Sequence, residues 1–250
     1  MEKERLDVLV QRLTGVTRSR AQGMIQTGHV RDAEGRVLDK PGQRFPAGTP
    51  LHIDEGPRYV SRGGEKLEAA LNHFPITVEG RVAIDVGAST GGFTDCLLQH
   101  GVTRVYAVDV GYGQLAWQTR QDPRVVVMER TNIRQLKPED LPERPDLFTV
   151  DCSFISLRLV LPALAPLLAC PARGIVLVKP QFEAGREEVG KGGVVRDEAV
   201  RERAVKEVLD AARALGFTSR GVIPSPLLGP AGNREFLAFL CREADTPSDT

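Results

Sequence analysis

Leu6, Leu9, Val10 and Leu13 recur at i, i+3, i+4 and i+7, the spacing that lines one face of a helix, and Gly15 stops the run. Thr17 is placed to cap a second helix that carries Arg18, Arg20, Met24 and Ile25 and ends at Gly28. Short apolar pieces follow at Val30, Val37-Leu38 and Leu51-His52-Ile53. Turn residues at Glu34-Gly35 and Lys40-Pro41-Gly42 separate them, so they predict short strands. From Arg81 onward the pattern changes. Nearly continuous apolar runs occupy residues 82–86, 105–109, 125–128, 147–151 and 174–179, as strands buried on both faces do. Helical stretches at 93–100, 157–168 and 197–215 separate several of them, and residues 235–240 read as a last strand. This alternation predicts an α/β fold, a mostly parallel doubly wound sheet, behind a small α+β domain. The expected division is a first domain over residues 1–56, a linker over 57–64, a larger domain over 65–243 and a frayed tail over 244–250.

Composition narrows the functional classes. Apolar residues make up 41% of 250, enough to offset chain entropy and exclude disorder as the main state. Basic and acidic residues balance at 33 each, which excludes a globally basic nucleic-acid coat; any nucleic-acid surface is a local patch. Such a patch is visible. Residues 11–31 contain Arg12, Arg18, Arg20 and Arg31 and no acid, and Arg58, Arg62 and Lys66 add charge in and beside the linker. Phosphate-backbone contact would use such residues; an ordinary solvated helix face would look the same. The opening Met1-Glu2-Lys3-Glu4-Arg5 has no apolar segment behind it, so no export signal is expected. The longest greasy region, 157–170, is broken by Arg158, Pro162 and Pro166, so no membrane span is expected either. Cys96, Cys152, Cys170 and Cys241 form no CxxC pair, which argues for reduced thiols in a cytoplasmic protein and against a metal site.

Three groups of residues carry candidate chemistry. Asp85-Val86-Gly87-Ala88-Ser89-Thr90-Gly91-Gly92-Phe93 follows the first strand of the sheet and opens a helix, the place where open α/β sheets bind ligands. Asp109 ends the next strand, 24 residues on, where a carboxylate accepts the hydroxyls of a ribose. Ser89 stands where a dinucleotide fingerprint has its second glycine, and no Gly-Lys-Ser/Thr phosphate loop is present. A nucleoside without phosphates suits S-adenosylmethionine. Asp151 and Lys179 end two further strands at the same crevice. A lysine there needs an acidic partner, whether for catalysis or as a structural ion pair at the sheet rim.

Four blocks in order closely resemble the TlyA family of ribosomal RNA 2′-O-methyltransferases, a family also labelled hemolysin A. They are Tyr59-Val60-Ser61-Arg62-Gly63-Gly64-Glu65-Lys66-Leu67, the 85–94 loop, Asp151-Cys152-Ser153-Phe154-Ile155-Ser156 and Val178-Lys179-Pro180-Gln181-Phe182-Glu183. The resemblance implies an S-four-type RNA-binding domain followed by a Rossmann-like, FtsJ-like methyltransferase domain. In the first domain Ser19-Arg20-Ala21, Ile25, Gly28 and Lys40-Pro41-Gly42 fit the pattern, while Arg31-Asp32-Ala33-Glu34-Gly35 departs from its usual hairpin. The resemblance also implies a catalytic set of Lys66, Asp151, Lys179 and Glu235. The implied cofactor contacts are Asp85, Gly87, Ser89, Gly91, Gly92 and Phe93 around the methionine end, Asp109 on the ribose and Asn132 on the adenine. Arg18, Arg20, Lys40, Arg58 and Arg62 are the implied RNA contacts.

The expected reaction is methyl transfer from S-adenosylmethionine to a ribose 2′-hydroxyl, of a cytidine, in the ribosomal RNA of a subunit. Lys179 is the candidate base: burial, the cationic sulfonium and Lys66 favour its neutral amine, while Asp151 and Glu235 oppose it. Lys66 could orient the ribose or a phosphate. Three rivals stand beside this reading. A base-N methyltransferase would carry an Asn/Asp-Pro-Pro-aromatic block where this chain has Asp151-Cys152-Ser153-Phe154. A membrane-acting hemolysin would need an inserting element. A non-catalytic RNA-binding protein would not need the four ionisable residues.

Overall fold

The computed structural model describes residues 3–54 and 56–244, so the tail expected to fray lies, from Asp245 on, outside the described residues. Two compact units divide the chain, Met1–Arg58 and Tyr59–Thr250.

In the first unit Leu6, Leu9 and Val10 are fully buried, whereas Leu13, the fourth member of the stripe, is 53% exposed. A short strand missed by the pattern, β1 (Lys3–Arg5), leads directly into α1 (Leu6–Thr14). Thr17 caps α2 (Arg18–Gln26) as expected, its hydroxyl accepting from the Arg20 amide. The strands β2 (Val30–Asp32), β3 (Arg44–Pro46) and β4 (Leu51–Ile53) complete two small antiparallel pairs, β1 with β3 and β2 with β4. Val37-Leu38 forms no strand; Val37 makes only an isolated bridge to Arg31. Leu6, Val10, Ala21, Ile25 and Val30 pack into one core. Beside that core Asp7 is buried and accepts hydrogen bonds from Arg5, Arg18 and Gln22. These donors hold its carboxyl well below the usual range, and they bind α1 to α2.

The second unit begins with α3 (Gly63–His73), whose first turn occupies part of the expected linker. The parallel core follows in order: β5 (Val82–Val86), α4 (Gly92–Gln99), β6 (Arg104–Val108), α5 (Trp117–Arg120), β7 (Val125–Met128) and β8 (Leu147–Val150). Next come α6 (Leu157–Leu164), β9 (Ala172–Val178), α7 (Pro180–Glu183), α8 (Glu198–Ala214), β10 (Thr218–Pro224) and β11 (Phe236–Arg242). The sheet order is β10-β11-β9-β8-β5-β6-β7, with β5 to β9 parallel and β11 and β10 antiparallel.

Alternate residues of the central strands face opposite layers. Ile84, Val86, Tyr106 and Val108 pack with α6 and α8, while Ala83 and Val105 pack with α3 and α4. That two-sided burial explains the unbroken apolar runs. The edge strand β7 departs from it, since Val126 is 38% exposed. From β5 the chain winds to β6 and β7 on one side, then crosses back to β8 on the other. The crevice where the order reverses lies at the carboxyl ends of β5 and β8.

Candidate active site

The β5–α4 loop is held from below. Asp85 is completely buried and accepts from the Thr94 hydroxyl (2.7 Å) on α4 and the Thr149 hydroxyl (2.8 Å) on β8. Burial pushes its carboxyl up to about 6 against the pull of those hydrogen bonds. Above it, Gly87 adopts φ 86°, and a Cβ there would stand 2.5 Å from the Asp151 carbonyl oxygen. Only glycine lets the two loops meet so closely. A Cβ on Gly92 would stand 2.2 Å from Ser61 Oγ and 2.9 Å from the Gly64 nitrogen, so that glycine lets the starts of α3 and α4 touch. Ser89 takes a left-handed φ of 50° and donates its amide to Asp109 Oδ2 (2.8 Å). The Gly111 amide donates to Asp109 Oδ1 (2.6 Å). Asp109 is thus fixed by two backbone donors, with lone pairs left on both oxygens.

Two clefts meet at this loop. The larger, about 440 Å³, has walls that include Val108, Asp109, Asn132, Ile133, Cys152 and Ile155. None of the described residues lining it is Lys or Arg, and both of its charged groups, Asp109 and Asp151, are acids. That lining suits an uncharged nucleoside with a cationic substituent and is wrong for a phosphate. S-adenosylmethionine, a nucleoside bearing a sulfonium, fits on size, charge and hydrogen-bonding groups.

The smaller cleft, about 230 Å³, is lined by all four residues of the implied catalytic set. They form two ion pairs, Lys66 Nζ with Glu235 Oε2 and Lys179 Nζ with Asp151 Oδ1, each at 2.6 Å. Lys179 also donates to Ser153 Oγ (3.0 Å). Lys66 rises from the first turn of α3, and Asp151 and Lys179 leave the ends of β8 and β9. Glu235 was expected inside the last strand; it lies one residue before β11. Because β11 runs antiparallel to β9, its beginning reaches the edge where the parallel strands end. The two clefts share Gly87, Ser89, Asp151 and Ser153.

Other expected residues take varied places. Phe93 and Gly92 line the smaller cleft with Arg62, and Asn132 lines the larger while its side chain accepts from the Arg134 amide. Asp85 and the buried helix cap Gly91 line neither of these clefts; they sit beneath the loop as supports. Arg20 and Lys40 are exposed on the first unit, and Arg18 shares its guanidinium with Asp7. Arg58 closes the first unit and is also exposed. Sequence reading assigned no part to Ser61, Ser153, Phe154 or Pro230, which line the clefts. The 151–156 block held a signal for two of them. Serine and phenylalanine directly after a buried strand end face the crevice, and Phe154 is 92% exposed with φ 64°.

The model of the FtsJ-like methyltransferase family matches residues 59–242. The chain is 49% identical over 235 residues to the 16S/23S rRNA (cytidine-2′-O)-methyltransferase TlyA of Mycobacterium tuberculosis, covering 92% of this chain and 87% of that one. It is 40% identical to Hemolysin A of Brachyspira hyodysenteriae, over 89% of this chain and 92% of that one. A solved structure from Streptococcus thermophilus, described as a hemolysin, superposes with a TM-score of 0.74 at 47% identity, covering 99% of this chain and 90% of that one. With the loop, the two clefts and the similarity all converging, this chain belongs to the TlyA group of FtsJ-like methyltransferases.

Proposed function

We propose that this chain transfers a methyl group from S-adenosylmethionine to the 2′-hydroxyl of a cytidine ribose in ribosomal RNA. The observation that carries the reading is the junction of the two clefts: a cleft without basic side chains adjoins one bearing Lys66, Asp151, Lys179 and Glu235. The cofactor supplies an electrophilic methyl on a sulfonium leaving group. What remains for the protein is to orient a weak nucleophile and manage its proton. Good placement alone supplies about 7 kcal/mol or more in ideal cases.

Asp109 takes the cofactor ribose, the open backbone at Gly87 and Ser89 faces its methionine end, and Asn132 lies on the adenine side. Lys179, paired with Asp151, orients the 2′-oxygen; only as a neutral amine can it accept the hydroxyl proton. Glu235 keeps Lys66 aimed into the cleft. The first unit acts as the S-four-type RNA-binding domain, with Arg18, Arg20 and Lys40 on phosphates, joined by Arg58 and Arg62. A ribosomal subunit as substrate implies a cytoplasmic enzyme. Among the described residues no helix is long and apolar enough to cross a membrane.

The test is transfer of isotope-labelled methyl from the cofactor to purified ribosomal subunits, followed by nucleotide mapping. Label on a ribose 2′-oxygen is expected. Label on a base, or on protein alone, overturns the reading.

A further inference from the structure

We infer that Glu183 is a positioning residue for methyl transfer, latching the segment that carries Lys179 to the loop that carries Asp151 from behind the site. The inference rests on the reaction proposed above.

Beyond the parallel strands β8 and β9, the chain continues as two segments side by side, 151–157 and 179–183. They touch in three successive places. At the cleft, Lys179 meets Asp151 and Ser153. Next, the Phe182 ring lies 5.2 Å from the Phe154 ring, centre to centre. At the far end Glu183, 4% exposed, accepts from Ser156 Oγ (2.5 Å) and from the Leu157 amide (2.8 Å). Arg158 closes the latch, donating to the Glu183 carbonyl oxygen (3.1 Å) and lying 3.6 Å from its carboxylate.

The latch does more than satisfy a helix end. Ser156 already caps α6 toward the Arg158 amide, so the Glu183 carboxylate adds a bond from a different segment to the first amide of that helix. Burial pushes the Glu183 carboxyl up, against its hydrogen bonds, so the group stands where its charged form is disfavoured. Between the two anchors lies Phe154, in a left-handed conformation that side-chain-bearing residues rarely adopt. Such a residue persists where its surroundings over-determine it, and here Ser153 is held by Lys179 on one side and Ser156 by Glu183 on the other. Without the far anchor, the spacing of the Asp151–Lys179 pair is set at one end only.

The test compares full-length Glu183→Ala and Glu183→Gln by calorimetry with S-adenosylmethionine, single-turnover methyl transfer to ribosomal subunits, and hydrogen exchange of the 151–157 amides. In Glu183→Ala, transfer should slow about 10–100-fold, the scale of a misplaced catalytic group, with cofactor affinity held within about threefold. The Leu157 amide should exchange faster. Glu183→Gln keeps an acceptor for that amide and should restore most of the rate. Wild-type transfer and exchange in Glu183→Ala, or a glutamine variant as slow as the alanine one, overturns the inference. If Glu183→Ala does not fold, Ser156→Ala removes one leg of the latch and should show the same two changes in smaller degree; neither change appearing overturns it. If the wild type itself transfers no methyl to RNA, the proposed reaction fails, and hydrogen exchange alone decides whether Glu183 holds the loop.

Discussion

A lysine that orients substrate by its charge and a lysine that takes a proton from substrate are different reagents, and Lys179, paired with Asp151 and donating to Ser153, is placed for either role. Lys179→Arg separates the roles. If charge and orientation suffice, arginine retains substantial activity with the wild-type pH dependence. If the residue must accept the proton, arginine fails almost as badly as alanine, because a guanidinium does not deprotonate in proteins. Single-turnover rates across pH decide, with cofactor and RNA binding held within about tenfold (~1.4 kcal/mol) as the control. Asp109 gives a cleaner binding test. Its two backbone donors leave acceptor capacity for a ribose, so Asp109→Ala should weaken S-adenosylmethionine binding by about 1–3 kcal/mol in calorimetry. Unchanged affinity would remove the ribose from Asp109.

Asp85 acts between elements, joining β5 to α4 and β8 through two threonine hydroxyls. Its carboxyl value rises from 3.8 to about 6 on folding, so the native state holds its proton more tightly than the unfolded chain. That contribution to stability is complete below pH 3.8 and is lost as pH rises through about 6. Asp85→Asn cannot titrate. Relative to wild type its stability should improve by up to ~3 kcal/mol between pH 4 and pH 7, measured by denaturant melts at both pH values. A constant difference would show that burial does not perturb the carboxyl. The elements Asp85 joins were legible because β5 and β8 are apolar on both faces. Others were hidden for physical reasons. α3 begins with Gly63-Gly64, poor helix formers, and Gly64 stands there because the Tyr59 side chain, 2.2 Å from where its Cβ would be, leaves no room for one. β10, Thr218–Pro224, mixes polar residues with Gly221 at a register shift and shows no period of two. The pairing of Lys66 with Glu235 was hidden as well, since nothing in residues 235–240 reveals that the last strand runs against its neighbour.

The whole molecule is net neutral yet carries cations where RNA is expected to lie, so binding should depend on salt more than the formal charge suggests. Arg20 is the better probe than Arg18, whose guanidinium also holds Asp7. Arg20→Ala should lower the slope of log affinity against log salt by about one unit and leave cofactor affinity unchanged. An unaltered slope would make Arg20 a solvated surface residue. The pairing of Lys66 with Glu235 has a consequence in time as well as in space. The partners are 169 positions apart, and the later one enters only with the closing antiparallel hairpin. During synthesis, every strand of the parallel sheet and the whole glycine loop emerge before Glu235 does. Until it arrives, Lys66 lacks the carboxylate it pairs with at 2.6 Å. The smaller cleft is therefore completed last, since every residue lining the larger one, from Val86 to Val160, precedes Glu235 in the chain.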